Sequence, residues 1–255
     1  MITHSVATHD TKMIETILLT AARVYTYLDD QRLTNASAFF FERDERLFLV
    51  TSRHVVFDEP SGHAPDRLEI ELHVDPENMA RATWFSIPLY QGGKSVWRAG
   101  VDGAGEVDVA VVEIERDALP PTTVYRAFSP AHLHHTLDQV NVGTSLLVIG
   151  FPLGFHDTLH HMPVVRHAVV ASSYGLRFQG EGYFLTDART HRGTSGAPVV
   201  MRVSGHDGLQ GDLPWTLLGV HSAVLDVGTR DLDIDEKLGL NCAWYADILL
   251  ALTEA

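Results

Sequence analysis

A histidine, an aspartate and a serine stand in that chain order within short motifs: Thr51-Ser52-Arg53-His54-Val55-Val56, Asp108-Val109-Ala110-Val111-Val112 and Gly193-Thr194-Ser195-Gly196-Ala197-Pro198. A serine hydroxyl is a weak nucleophile at neutral pH. An imidazole that takes its proton, held in one tautomer by a buried carboxylate, removes that limit. His54, Asp108 and Ser195 fit those three roles. The glycines fit the same chemistry, because Gly193 permits a sharp turn in which its own N–H and that of Ser195 point at one spot and stabilise an oxyanion. The competing reading of Ser195 is a serine in a glycine-rich hairpin turn. For the acid, Asp102 and Glu106 are rivals, but they lie in or beside Gly100-Val101-Asp102-Gly103-Ala104-Gly105, which reads as a solvated turn. An acid at the start of an apolar strand, as Asp108 is, is either at an edge or buried with a partner.

These residues need a scaffold, and the composition allows one. The chain has 255 residues, 45% of them hydrophobic, enough for one large domain or two fused small ones. Short alternating or branched apolar segments recur between Gly, Pro, Asp and Asn signals, the pattern of an antiparallel barrel or sandwich. Candidate strands run over 17–27, 36–41, 47–51, 68–74, 82–89 and 108–114. After Leu119-Pro120-Pro121 and Ser129-Pro130 others follow over 145–150, 164–172, 183–187, 197–203, 215–224 and 240–244. The expected fold is all-β, two six-stranded antiparallel barrels over 1–120 and 121–255, with a short helix within 245–252. His54 and Asp108 fall in the first half and Ser195 in the second, so the site belongs in the cleft between them.

The bulk chemistry excludes several functions. A formal charge of −14 argues against binding nucleic acid or anionic membranes. Cys242 is the single cysteine and the N-terminus lacks the features of an export signal, so a reducing, cytoplasmic compartment is expected. Fifteen histidines include the runs His132-Leu133-His134-His135 and His160-His161, yet neither has the helical His-Glu-x-x-His spacing, and the single Cys has no partner for a structural zinc site. No metal or other cofactor is expected.

Further segments share the order of the three motifs: Asn35-Ala36-Ser37-Ala38-Phe39-Phe40-Phe41, Leu47-Phe48-Leu49-Val50, Val148-Ile149-Gly150-Phe151-Pro152-Leu153-Gly154 and Thr186-Asp187-Ala188. Together they resemble the chymotrypsin-like (trypsin-like) serine peptidases. Within these they are similar to the bacterial disulfide-free group of the high-temperature-requirement proteases and the staphylococcal glutamyl endopeptidase. The resemblance implies a serine endopeptidase acting on polypeptides through His54, Asp108 and Ser195, with Gly193 and Ser195 as oxyanion donors. Thr194 stands where many secreted members carry an Asp that pairs with a freshly cut N-terminus, so activation by N-terminal cleavage is not expected. Ala197 replaces a glycine, and the order His, Asp, Ser differs from that of α/β hydrolases.

The resemblance also implies substrate binding by Thr190, His221 and Ser222. The last of these is similar to the serine that supports the acid in such enzymes. Gly219-Val220-His221 and a Thr five positions before the nucleophile resemble glutamyl endopeptidases and Gln-preferring viral proteases. An imidazole and a hydroxyl converging on one pocket would hold Glu or Gln before the scissile bond, Glu more tightly as His221 protonates. Arg189 and Arg192 could add positive potential. Two further expectations concern control: a regulatory protein partner that orders a segment at 155–161, or, alternatively, a catalytically silent or latent binding module on the same fold.

Overall fold

The computed structural model describes residues 14–133, 140–203, 213–222 and 239–254. His134, His135 and the end of the 215–224 strand fall outside these. The first half pairs β1 (Ala21–Leu28), β2 (Gln31–Arg43), β3 (Arg46–Thr51), β4 (Arg67–His73), β5 (Ala82–Pro88), β8 (Trp97–Asp102) and β9 (Gly105–Ile114) into one antiparallel sheet in the order β5-β4-β1-β2-β3-β9-β8. Two short strands, β6 (Tyr90–Gln91) and β7 (Lys94–Ser95), form a hairpin across Gly92 and Gly93, both at positive φ.

In the second half β10 (Ser145–Gly150), β11 (Val164–Val170), β12 (Tyr183–Asp187), β13 (Pro198–Arg202), β14 (Trp215–Ser222) and β15 (Leu240–Tyr245) close into a barrel, β10-β11-β12-β15-β14-β13. The all-β expectation and the six-stranded second barrel are as the sequence predicts, whereas the first half forms a seven-stranded sheet. The added strand is β8. Its glycines and Asp102 read as a solvated turn, but Trp97, Arg98 and Ala99 pair with Val112, Val111 and Ala110. Likewise Thr16–Thr20 is a 3-10 turn rather than the start of β1, and the terminal helix is limited to α2 (Ile248–Leu252) because β15 runs to Tyr245.

Alternation explains how one sheet serves two cores. Along β3, Leu47 and Leu49 pack into the core of the first half, while Phe48 and Val50 face a second cluster shared with the barrel. β9 repeats this, with Ala110, Val112 and Ile114 inward and Val107, Val109 and Val111 toward the barrel. The shared cluster joins Phe39, Phe41, Phe48 and Val50 to Leu185, Val200, Leu217 and Val220. Burial of side chains of this size contributes about 1.5–3 kcal/mol each. The apolar seam therefore fixes the two halves against each other. Cys242 is buried on β15. Among the described residues no helix is long and apolar enough to cross a membrane.

Candidate active site

Asp108 lies on β9, on the parity of Ala110 and Val112, one pair beyond the last apolar residue of that face. Its carboxylate accepts the His54 backbone N–H at Oδ1 (2.9 Å), and His54 Nδ1 (2.8 Å) and the Ser222 hydroxyl (2.9 Å) at Oδ2. A carboxylate partner assigns the ring proton to Nδ1 and leaves Nε2 as the basic nitrogen. His54 itself sits on α1 (Arg53–Val56), a single helical turn at the end of β3 whose Val55 and Val56 are buried. Burial disfavours its charged form, but the Asp108 charge and hydrogen bond outweigh this and hold its pKa above the ordinary imidazole value. The rival acids are placed elsewhere. Asp102 caps Ala104 and pairs with Arg177 at 2.7 Å, and Glu106 pairs with Arg53 at 2.9 Å.

Ser195 lies on a tight turn between β12 and β13, with 7% of its surface exposed. The hydrogen bonds of His54 both go to Asp108 and none reaches Ser195. Within the turn Thr194 N–H donates to His191 O (3.1 Å), Gly196 N–H to His221 O (2.8 Å) and Ala197 N–H to Thr194 O (3.0 Å). The N–H groups of Gly193 and Ser195 have no acceptor among the described residues. The Arg192 carbonyl accepts from Leu153 N–H at 2.6 Å, and in a planar trans peptide this directs the Gly193 N–H away from Leu153. Two N–H groups without an acceptor in an otherwise bonded turn are available as donors to an oxyanion.

Ser37, whose role the sequence did not suggest, fastens this turn. Its N–H donates to Ser195 O (3.0 Å), and its hydroxyl donates to Gly193 O (2.8 Å) while accepting from Phe151 N–H (3.0 Å). The only hint was a hydroxyl between two alanines in a strand that turns apolar. Gly196, at φ +86°, is the tightest point. A Cβ there would lie 2.2 Å from Ser37 O and 2.3 Å from Thr51 Oγ1. We expect Gly196→Ala to lower stability by about 3 kcal/mol or more. Gly62→Ala, also at positive φ but with nothing within 4 Å, should lose only about 1 kcal/mol. Urea unfolding of both variants measures the contrast.

The expected pocket residues are only partly as the sequence implies. The Ser222 hydroxyl donates to Asp108 Oδ2, the carboxylate that also holds His54. His221 pairs with Ala243 on β15, and Asn241 two residues along shares that face. Thr190 joins them by its hydroxyl, which donates to Asn241 Oδ1 at 2.7 Å. The direction is fixed because Asn241 Nδ2 points at Ala188 O (2.6 Å) and Gly239 O (3.3 Å). Asn241 was not foreseen, although a lone amide in the apolar β15 run was its signal. His221 is fully buried, neither ring nitrogen has a partner among the described residues, and burial with the nearby His54 pushes its pKa down to about 3. Arg189 and Arg192 are exposed.

Of the histidine runs, the described members make contacts within the fold. His132 is buried and accepts the Ser129 N–H. His160 pairs with Asp157, and its carbonyl accepts from His73. Glu71, His156 and His161 are close enough to hold a metal ion. The Arg23 guanidinium already stands among them, 2.7 Å from Glu71 Oε2 and 2.9 Å from His156 Nε2. The segment 155–161 is thereby fastened to β1 and β4.

A family model described as a trypsin-like peptidase domain matches residues 36–206. Among solved structures, the fold is similar to an HtrA-type protease, AlgW with tripeptide, at 20% identity and a TM-score of 0.53, covering 92% of this chain and 58% of that one. A serine endoprotease from Yersinia pestis is similar at 16% identity and a TM-score of 0.51, covering 97% and 66%. The chain thus spans less than two thirds of the length of these structures. No curated protein matches the chain.

Proposed function

Because the chain belongs to the trypsin-like peptidase domain family, we propose that it is a serine endopeptidase and that Ser195 is its nucleophile. His54 Nε2 takes the hydroxyl proton as Oγ attacks the scissile carbonyl, and the imidazolium so formed is stabilised by Asp108. The carbonyl oxygen gains negative charge and is met by the N–H groups of Gly193 and Ser195. His54 then returns the proton to the leaving amine, the C–N bond breaks, and water repeats the sequence to release the acyl group. The observation that carries this reading is the Asp108 carboxylate holding His54 by both backbone and ring, which leaves Nε2 free. Apo structures commonly show such sites with the base-to-nucleophile bond unformed.

For the residue before the scissile bond, the pocket favours glutamine over glutamate. Neutral His221 offers one N–H, suited to a side-chain carbonyl, and the Thr190 hydroxyl, its proton given to Asn241, offers lone pairs suited to an amide N–H. A carboxylate would face those lone pairs. Protonation of His221, the route by which glutamate would gain, lies near pH 3, so the preference should not move between pH 6 and 8. Mass-spectrometric mapping of cuts in a denatured protein mixture tests both claims. Cuts concentrated after Gln support them, cuts after Glu or basic residues overturn the pocket assignment, and an absence of cuts favours the latent or silent module.

A further inference from the structure

A polar cavity of about 370 Å³ opens beside the Gly193 turn, lined among others by Arg23, Arg32, Asn35, Leu153 and His156. Its position relative to the turn is defined by contacts on either flank. On one, Ser37 of β2 bonds to Gly193 and Ser195; on the other, Gly196 bonds to His221 of β14. The side chain of Asn35 spans from the cavity to the turn: its Nδ2 lies 2.9 Å from where a Cβ on Gly154 would sit, and its Oδ1 3.2 Å from one on Gly193. The pocket of Thr190 and His221 occupies the β14 flank and the cavity the β2 flank. A peptide whose scissile carbonyl enters the turn with its preceding side chain toward His221 must send its leaving segment across the cavity.

The charges there are of two kinds. Arg23 pairs with Glu71 at 2.7 Å and also lies 2.9 Å from His156 Nε2 and 3.1 Å from its Nδ1, which is 2.7 Å from Gly154 O. Arg32 has no acidic partner among the described residues. Its guanidinium lies 4.5 Å from the Tyr25 ring centroid, a stacking that holds it in place while its donors remain available. An exposed, aromatic-braced arginine beside an amide, in a chain of formal charge −14, is a local inversion of the protein's own field.

We propose that this cavity is a carboxylate subsite for the leaving segment of the substrate, with Arg32 as its specificity-determining residue. The inference rests on the peptidase reading above. Two sources could supply the group, an Asp or Glu side chain within the first leaving residues or the terminal carboxylate of a short leaving peptide. Internally quenched peptides with Gln before the bond separate them. Asp is compared with Asn at each of the first three leaving positions with an amidated terminus, and a neutral peptide is tested as amide and as free acid.

At one position, or with the free acid alone, kcat/KM should rise about fivefold, and the gain should shrink as salt is raised. In Arg32→Glu the preference should invert, Lys exceeding Asp at that position, a reversal that loss of structure would not produce. Equal rates for Asp and Asn throughout, with no free-acid gain, would overturn the subsite, as would a preference that survives Arg32→Glu. If the wild type cuts none of the peptides, the peptidase reading fails by itself. The subsite is then decided by anisotropy of the same labelled peptides on Ser195→Ala, where equal Kd values for all members refute it.

Discussion

Ser195→Ala should lower turnover of a Gln-containing peptide by about a millionfold while leaving the fold intact. The rate loss follows from the chemistry, because Ser195 Oγ is the atom proposed to attack the scissile carbonyl. The fold should tolerate the change, because the turn is held through main-chain atoms: Ser195 O accepts from Ser37, Gly196 N–H donates to His221 O, and the missing Oγ carries no structural bond. A substitution of this kind at a position with its side chain toward a cleft typically alters stability by under about 1 kcal/mol. Single-turnover kinetics with a thermal melt on the same sample separate the two effects. A variant that melts like the wild type and retains more than a hundredth of its rate would remove Ser195 from the nucleophile's role.

The residues of this site were legible because each sits in a short motif whose local conformation is its function. Glycines at 193 and 196 announce a turn that only they can make, and His54 follows an apolar strand that must end near it. Asp108 reads as the first residue of an alternating strand, whereas β9 begins at Gly105 and carries Glu106 as well; what sets the three acids apart is their partners, Arg177 for Asp102, Arg53 for Glu106 and His54 for Asp108. What the sequence concealed depends on contacts between distant positions. Ser37 and Asn241 act through partners 156 and 51 residues away. The strand β8 was hidden because pairing with β9, not its own propensity, makes it extended. The low pKa of His221 was hidden for a related reason. A histidine type is visible in sequence, whereas its complete burial is not.

Asp108→Asn tests the element that gives the site its direction, and it should reduce kcat by about 10⁴-fold. Three donors converge on the carboxylate, the His54 N–H at Oδ1 and both His54 Nδ1 and the Ser222 hydroxyl at Oδ2. An asparagine whose oxygen keeps the His54 backbone bond turns its NH₂ toward the other two. His54 Nδ1 must then accept, the ring proton moves to Nε2, and that nitrogen can no longer take the Ser195 proton. The pH profile adds a second readout with a definite sign. In the wild type the Asp108 charge overcomes burial and raises the His54 pKa, so the acid limb of kcat/KM should have its midpoint above the ordinary value of 6.5. With the charge removed, burial dominates and the limb should move to lower pH. A rate loss without that shift would mean that Asp108 only positions the ring. A shift without the rate loss would mean that the tautomer is set by something other than the carboxylate, and retention of both would return the assignment to Asp102 or Glu106.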